Sequence, residues 1–219
     1  MQNIRRTAGA LSMALAIAGS ASAQGPSATV DRAVTAWVRV HSLSGTFEQT
    51  LSNPLLRSNN FARGEFRQER PNKLAIRFSE PAGDAIVADG RYLWVYLQQA
   101  TPNQVIKRPA SDLADVPIDV GQFLESPAVR YDFIAKGAEN VGDRPAHVLG
   151  LTPKRGTSSL FTQATVWVDD ADGLIRQFEV AETNGNTRRI RLSKLTVNPT
   201  LGSSDFSFMV PRGAKVITP

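Results

Sequence analysis

The spacing of hydrophobic and polar positions changes soon after the chain begins. Apolar residues first recur at intervals of three and four, the spacing that places them on one face of a helix. These residues are Val30, Ala33, Val34, Trp37 and Val38. Ser27, which follows Pro26, is a residue type that often caps such a helix. From Leu43 to Leu51 the spacing becomes two, which predicts a half-buried strand.

The spacing of two continues along most of the remaining chain, between turn signals such as Asp89-Gly90, Asp172-Gly173 and Asn184-Gly185. The pattern predicts about eleven short strands, with a last segment at 206–210. They lie at 43–51, 62–68, 73–79, 85–88, 91–97, 104–108, 129–135, 147–151, 162–168, 174–181 and 187–197. A mainly β sheet of that many strands has to curl or close. There is no repeat, low-complexity tract or linker, so we expect one domain.

The stretch between Pro109 and Pro127 has no spacing of two. Its apolar residues are scattered among Asp, Gly and Pro, a composition that favours short helical turns or a mobile flap. The scattered apolar residues are Leu113, Val116, Ile118, Val120, Phe123 and Leu124.

One predicted strand, 91–97, is apolar on both faces, although a sheet with one wet face needs apolar side chains on one side only. The alternating residues are Tyr92, Leu93, Trp94, Val95, Tyr96 and Leu97. Two interpretations are open. The sheet is either an ordinary core covered on both sides, or a curled sheet that encloses an apolar cavity beneath a helical lid.

Composition narrows the classes of function. The 219 residues include 25 Lys and Arg, 20 Asp and Glu, two His and no Cys, for a net charge of +5. The lack of cysteine excludes disulfides, thiolate metal sites, iron–sulfur clusters and cysteine nucleophiles. The modest charge does not indicate nucleic acid. There is no phosphate-binding glycine loop, nucleophile elbow or zinc-protease motif. We therefore expect no enzyme, no metal and no cofactor.

Three weaker signals each leave a functional and a structural interpretation. The acidic cluster at 169–173 resembles part of a calcium loop but lacks the downstream glutamate, and a strand turn explains it better. His147 stands alone in a strand, where a packed histidine is commoner than a catalytic base. The third signal is a set of arginines, either a basic patch or, as we favour, the guard of a solvated sheet edge. This set is Arg188, Arg189 and Arg191.

The N-terminus has the pattern of an export signal. Arg5 and Arg6 precede a short apolar stretch at 8–18, and the small residues at 21–23 suit signal peptidase. The apolar stretch is too short for a permanent membrane anchor, which is the alternative. We expect a signal peptide at 1–23 and a mature domain at 24–219, soluble in the periplasm. Without cysteine it cannot be lipid-anchored through an N-terminal cysteine.

Six short motifs, taken in order, resemble the LolA family of outer-membrane lipoprotein carriers. Each is weak alone, but together they cover essentially the whole mature chain. The motifs are Phe47-Glu48-Gln49, Gly64-Glu65-Phe66 with Arg70-Pro71-Asn72, Ile86-Val87-Ala88-Asp89-Gly90 with Leu93-Trp94-Val95-Tyr96, Leu149-Gly150-Leu151-Thr152-Pro153-Lys154, Asp172-Gly173-Leu174-Ile175 with Gln177-Phe178, and Asp205-Phe206-Ser207-Phe208-Met209-Val210-Pro211-Arg212-Gly213-Ala214-Lys215-Val216.

The resemblance implies an incomplete antiparallel β-barrel of about eleven strands, whose concave apolar face is capped by helices. It implies a carrier that takes triacylated lipoproteins from an inner-membrane ABC transporter to an outer-membrane receptor of the LolB type, where one exists. It also implies that Arg70 holds the lid closed through backbone carbonyls of the lid helices. The 109–127 region departs from the family's lid in sequence and carries Asp112, Asp115 and Asp119.

Candidate site residues follow from these patterns. The lid residues are Leu113, Val116, Ile118, Phe123 and Leu124. The concave wall residues are Phe47, Leu74, Ile76, Phe78, and Trp94 or Tyr96. A basic set near the mouth, chiefly Arg63 and Arg67, is the candidate surface for docking the transporter. We expect a monomer. The alternative function is a periplasmic lipid-binding or sensor module of the same fold that is not dedicated to lipoproteins.

Overall fold

Twelve strands form one continuous open sheet in the computed structural model, which describes residues 26–116 and 118–218 and leaves out the side chains of residues 112, 114 and 115. The predicted signal peptide and the mature start at Gln24 lie outside the described residues. Neighbouring strands in the sheet follow the order β12-β6-β5-β4-β3-β2-β1-β11-β10-β9-β8-β7. The two edge strands, β12 and β7, do not pair with each other in this order, so the barrel is incomplete, as predicted.

Most strands are longer than the alternating patterns that predicted them. The strands are β1 Ser42–Asn53, β2 Ser58–Glu69, β3 Lys73–Glu80, β4 Ala82–Asp89, β5 Tyr92–Tyr96, β6 Gln104–Pro109, β7 Tyr131–Val141, β8 Arg144–Pro153, β9 Phe161–Asp169, β10 Ile175–Glu182, β11 Thr187–Val197 and β12 Lys215–Ile217. All neighbours are antiparallel except β12, which runs parallel to β6.

The C-terminal end differs from its prediction. The segment at 206–210 is not a strand, because a 3₁₀ helix occupies Ser203–Phe206 and an extended stretch follows it. The twelfth strand is instead β12, at Lys215–Ile217. Phe206 is buried against the sheet, so packing of its side chain takes the place of strand pairing here.

Helix α1, Pro26–Val38, buries the predicted stripe through Val30, Ala33 and Trp37. Val38 was predicted on this stripe, but it is 65% exposed, because the face has rotated away from the core by the end of the helix. The helix begins at Pro26, so Ser27 is its second residue and not its N-cap.

The region between Pro109 and Pro127 forms short helical turns, as predicted. They are a 3₁₀ helix at Ala110–Asp115 and the α-helix α2 at Gly121–Leu124, and a third turn, α3, follows at Pro127–Arg130. We call residues 110–124 the flap. Helix α1 and the flap pack on the same face of the sheet and share one hydrophobic core with it. We call this the concave face.

A glycine sets how closely the strands approach on the concave face. In the strand register Gly64 lies between Phe47 and Phe78. A Cβ atom at Gly64 would lie 2.1 Å from the carbonyl oxygen of Arg77. Without that atom, the Phe47 and Phe78 rings meet edge to face, with ring centroids 5.3 Å apart. Close packing of the strands therefore explains why the Gly64-Glu65-Phe66 motif begins with glycine.

The convex face has its own cover. Ala75, Ala85 and Val87 form a second cluster with Phe206, and Phe208 packs against it. The Phe208 ring stacks on Trp94 with centroids 5.8 Å apart. Strand β5 is thus apolar on both faces because the C-terminal segment covers the side that the helices do not.

Candidate functional site

A cavity of about 580 Å³ opens on the concave face beside the flap, within the range of about 300–1,000 Å³ usual for small-ligand sites. Its apolar wall includes Phe47, Ile76, Phe78, Ile86 and Ile190, and its polar rim includes Gln49, Asn59, Asn60, Asp84 and Arg188. The flap contributes Ile118. An apolar pocket with a few convergent polar groups suits an amphipathic ligand.

The predicted wall residues divide between the two faces of the sheet. Phe47, Ile76 and Phe78 line the cavity, and Leu74 lies in the same core, 1% exposed. The placement of Trp94 and Tyr96 on this wall was wrong. Trp94 stacks on Phe208, and Tyr96 pairs in register with Ala85 of the convex cluster. Sequence alternation groups residues by face but does not say which face is concave.

All five predicted lid residues are buried in the core on the concave face. Leu113, Val116, Ile118, Phe123 and Leu124 are each 8% exposed or less. The Phe123 ring packs 5.2 Å from Phe178 and 5.7 Å from Phe161, measured between centroids. The flap therefore fills the part of the concave face near β9 and β10, and the open cavity lies beside it, near β1 to β4.

Arg70 grips the end of helix α1. Its Nη1 donates to the carbonyl oxygens of Trp37 and Val40, both at 3.1 Å. Its guanidinium lies 4.9 Å from the centroid of the Trp37 ring. The last carbonyls of a helix lack intrahelical partners and carry the negative end of the dipole, so a cation is favourable there. The carbonyl oxygens that Arg70 contacts lie in the last turn of α1 and just beyond it, and not in the flap.

A polar contact that the sequence did not suggest ties the flap to the sheet. Gln68 Nε2 donates to Asp119 Oδ1 at 3.2 Å, and the same oxygen accepts the backbone N–H of Gly121 at 2.9 Å. Gly121 also lies against the Trp37 ring, since a Cβ there would be 3.4 Å from the ring edge. Trp37 therefore packs against Arg70 on one side and against Gly121, which Asp119 holds, on the other.

The predicted docking arginines lie on the outer side of β2 and are ion-paired. Arg63 Nε is 3.0 Å from Glu80 Oε2. Arg67 lies 3.5 Å from Glu65 and 3.6 Å from Asp205. Glu80 also lines the cavity, so Arg63 is near the mouth. The positive charge of both residues is partly neutralised by these neighbours.

The three arginines of β11 do not guard a sheet edge, because β11 lies between β1 and β10. That interpretation was wrong. Arg188 points to the cavity, where it donates to Glu182 at 2.7 Å and to Gln49 at 3.0 Å. Arg189 pairs with Glu179. The period of two gave no information on the position of this strand in the sheet.

The acidic cluster at 169–173 forms a strand turn held by arginines. Asp169 pairs with Arg144 and Arg176, and Asp172 also pairs with both. His147 contacts Asp170, which in turn lies 3.4 Å from Arg32 of α1. No cluster able to hold a metal ion occurs among the described side chains. The cluster therefore docks α1 and stabilises a turn.

Comparison with known proteins agrees with this geometry. Residues 39–209 match the model of a family described as outer membrane lipoprotein carrier protein LolA. The chain belongs to the LolA family. It is 27% identical to the outer-membrane lipoprotein carrier protein of Bordetella pertussis, over 99% of each chain, and 28% identical to that of Dechloromonas aromatica, over 80% of each. The relatives are named carriers, which are binding proteins and not enzymes, and this LolA-family chain is of that kind.

Solved structures show the same fold at low identity. An uncharacterised conserved protein from Thermus thermophilus has a TM-score of 0.55 at 13% identity, covering 88% of this chain and 98% of that one. MucB has a TM-score of 0.52 at 20% identity, covering 88% of this chain and 65% of MucB. Within residues 26–116 and 118–218, no helix is both long and apolar enough to cross a bilayer.

Proposed function

We propose that this LolA-family protein is a soluble periplasmic carrier that binds the acyl chains of lipoproteins on its concave face and delivers them to the outer membrane. The observation that carries the proposal is an apolar cavity of about 580 Å³ bordered by a flap whose own apolar side chains fill the adjoining part of that face. The family and its carrier names support the choice of cargo.

The energetics of acyl chains explain why a carrier is required. Exposing a chain of about sixteen carbons to water costs on the order of 0.8 kcal/mol per CH₂, or roughly 12 kcal/mol per chain. A triacylated lipoprotein carries three such chains, so its unaided crossing is negligible. The apolar concave face must offset most of this cost while the cargo is in transit.

Cargo can be released only if the apolar surface that it leaves is covered again by the protein and is not left as an empty cavity. When the flap residues Phe123 and Leu124 move off the sheet, acyl chains take their place against Phe178 and its neighbours. When the cargo leaves, the flap covers the same surface again. The net apolar area exposed to water changes little between the two states, so binding is strong enough for transport and still reversible.

Arg70 sets the balance between the closed and loaded states. Its hydrogen bonds to Trp37 at the end of α1 and to Val40 just beyond it hold the helix whose Trp37 packs on the flap. Loosening this contact favours the open form that accepts acyl chains, and re-forming it helps to expel them. The direct flap contact, from Asp119 to Gln68, acts in the same sense.

The partners in this scheme are an inner-membrane ABC-type lipoprotein-releasing complex and, where present, an outer-membrane receptor of the LolB type. We place the transporter contact at the outer side of β2, at Arg63 and Arg67, near the mouth of the cavity. The protein is exported by the signal peptide at 1–23 and acts as a monomer consisting of one domain, 24–219.

Native mass spectrometry of the protein purified from periplasm tests the cargo. A mass added by a triacylated peptide or lipoprotein supports the carrier. Free phospholipid as the sole adduct would contradict it and favour the alternative, a lipid-binding or sensor module of the same fold. The same fold in the longer MucB chain shows that this architecture is not confined to proteins of this length.

A further inference from the structure

The hairpin between β1 and β2 ends in an exposed apolar tip. Leu55 is 88% exposed and Leu56 is 74% exposed in the turn at 54–57, and Phe61 on the returning strand is 67% exposed. Single exposed apolar residues are normal on protein surfaces, but a cluster of large ones indicates a contact site. Leu55 and Leu56 do not line the cavity used in the carrier mechanism above.

The tip stands clear of the neighbouring strand on one side. Strand β2 begins at Ser58, but its pairing with β3 begins only where Arg63 lies opposite Glu80. The five residues 58–62 therefore extend beyond β3, a reach of roughly 16 Å at about 3.3 Å per residue. The tip is free to meet a surface that the body of the sheet does not touch.

The same hairpin forms part of the rim of the cavity. Leu51, Asn59, Asn60 and Phe61 all line it. A surface that touches the tip therefore comes close to the opening through which a ligand on the concave face would pass.

The charge of the hairpin favours an anionic surface. From Gln49 to Gly64 there is no acidic residue, and the two charged residues are Arg57 and Arg63. Arg63 pairs with Glu80, whereas Arg57 has no ion pair with any residue in the described part of the chain. The residues beside the leucines are neutral and polar, Asn53, Ser58, Asn59 and Asn60. Two apolar side chains next to a cation and neutral polar groups match the layering of a bilayer surface.

We propose that the β1–β2 tip inserts Leu55 and Leu56 into the surface of an anionic bilayer, with Arg57 at the headgroups, and so brings the cavity mouth against the membrane. The contact goes beyond the carrier function and does not depend on the identity of the cargo. It gives an acyl chain a path between membrane and cavity that avoids water. Two leucines give weak, reversible binding, as a carrier that leaves the membrane again requires.

Vesicle flotation of the mature protein tests the contact. Wild type should float with vesicles of phosphatidylethanolamine and phosphatidylglycerol, and Leu55→Glu with Leu56→Glu should lower the partition coefficient at least tenfold. The matched control is Met209→Glu, an equally apolar position that is also 88% exposed but lies outside the hairpin; it should bind like wild type. Wild type that stays unbound, or a double variant that floats like wild type, overturns the proposal.

The variant Arg57→Glu measures the electrostatic contribution of this residue to vesicle binding. Since a basic residue near an anionic surface contributes about 1 kcal/mol, the substitution should weaken binding to the anionic vesicles about fivefold or more at low salt. Its effect on neutral phosphatidylcholine vesicles should be much smaller. Equal loss on both kinds of vesicle would contradict a headgroup contact for Arg57.

Two further measurements distinguish the membrane contact from a protein-docking site and from the carrier function. If the double variant still binds vesicles but fails to pull down the inner-membrane transporter, the tip is a protein-docking site and the proposal is wrong. Binding of a fluorescent triacylated lipopeptide in the absence of vesicles should be the same in wild type and the double variant. If wild type binds vesicles through the tip but not the lipopeptide, the carrier function fails while the membrane contact stands.

Discussion

The guanidinium of Arg70 makes several contacts near the C-terminal end of helix α1. It stands directly before Pro71, and a residue before proline is biased toward an extended backbone, which directs its side chain. From there it reaches the carbonyl oxygen of Trp37 in the last turn of α1, that of Val40 just beyond the helix, and the face of the Trp37 ring. A planar fork with five N–H groups can serve several acceptors at once, which an ammonium group does less well.

We predict that Arg70→Leu shifts the protein toward the open form. Hydrogen bonds from a charged donor contribute about 1.5–3 kcal/mol each, so losing two should move the equilibrium by at least tenfold. The variant should still load cargo but should release it slowly to an outer-membrane acceptor, and Arg70→Lys should be intermediate.

Cargo retention after mixing loaded protein with acceptor membranes measures this effect. Arg39→Leu is the matched control, because Arg39 follows the same helix but its side chain is exposed. If Arg70→Leu transfers cargo as fast as wild type, Arg70 only stabilises the fold at α1.

Individual residues also show where sequence reasoning stops. The resemblance did not say which segment supplies the carbonyl oxygens for Arg70; the structure shows those of Trp37 and Val40, and this choice is set by tertiary packing. Trp94 has the aromatic character of a cavity wall, yet it lies under Phe208. A period of two identifies which residues share a face, and only packing of distant segments decides which face is concave.

Polar contacts as well as apolar packing hold the flap to the sheet: Gln68 donates to Asp119, and the Tyr131 hydroxyl of β7 donates to the carbonyl oxygen of Gln122 at 2.9 Å. The Asp119 carboxylate also accepts the N–H at the start of α2, a group that has no partner within the helix. We predict that Asp119→Ala loosens the flap, since losing such a cap and contact costs about 1–2 kcal/mol.

Hydrogen exchange measures the loosening. Amides of the flap should exchange about tenfold faster in Asp119→Ala, while amides of β9 and β10 should keep their rates. Unchanged exchange in the flap would show that the Asp119 contacts do not hold it in place.

The turn between β9 and β10 contains a carboxylate, Asp169, whose pKa is lowered in the folded protein. Burial alone would raise the pKa of Asp169, but hydrogen bonds from Arg144 and from backbone N–H groups, with the nearby charge of Arg176, hold its pKa well below the usual range. A carboxylate with a lowered folded pKa stabilises the native state above its unfolded pKa of about 4, and this contribution is lost as the pH falls toward the folded value.

We therefore predict that Asp169→Asn lowers the free energy of unfolding by about 3 kcal/mol at neutral pH, because it removes the buried carboxylate that pairs with Arg176, whose side chain is only 9% exposed. The difference from wild type should narrow as the pH falls below about 4. Urea unfolding at several pH values measures both. Asp132→Asn, at a side chain that is 72% exposed, should change stability little. A gap between Asp169→Asn and wild type that does not vary with pH would contradict the linkage.

At the level of elements, the sequence predicts what depends on local pattern. Helix α1, strands β1 to β11 and the short helical turns of the flap were predicted because period, turn pairs and prolines specify them locally. The twelfth strand and the cover of the convex face were not, since β12 depends on pairing with β6 and the C-terminal segment depends on Phe206 and Phe208 meeting a distant sheet.

The proposed association with the transporter depends on the charge of the outer surface of the molecule. Arg63 and Arg67 lie on the outer side of β2, and their partners are mostly exposed, so their ion pairs add little stability and leave part of the field available. We predict that Arg63→Glu with Arg67→Glu slows association with the transporter about tenfold or more at low salt, and that the difference shrinks as ionic strength rises.

Surface binding kinetics at several salt concentrations check this. Arg189→Glu is the control, since Arg189 is an exposed, ion-paired arginine on another strand, β11. An association rate that changes neither with charge reversal nor with salt would show that the transporter binds elsewhere on the surface.

At the scale of the whole molecule, the proposed carrier function requires that acyl chains of a lipoprotein replace the flap on the concave face. The most direct measurement is a triacylated lipopeptide with a photoreactive group at the end of an acyl chain, crosslinked to the protein and mapped by mass spectrometry. If acyl chains replace the flap, we expect labels on cavity residues such as Ile76 and Phe78 and on the core beneath the flap, such as Phe178. Labels confined to the convex side, around Trp94 and Phe208, or no labelling of specific residues, would contradict it.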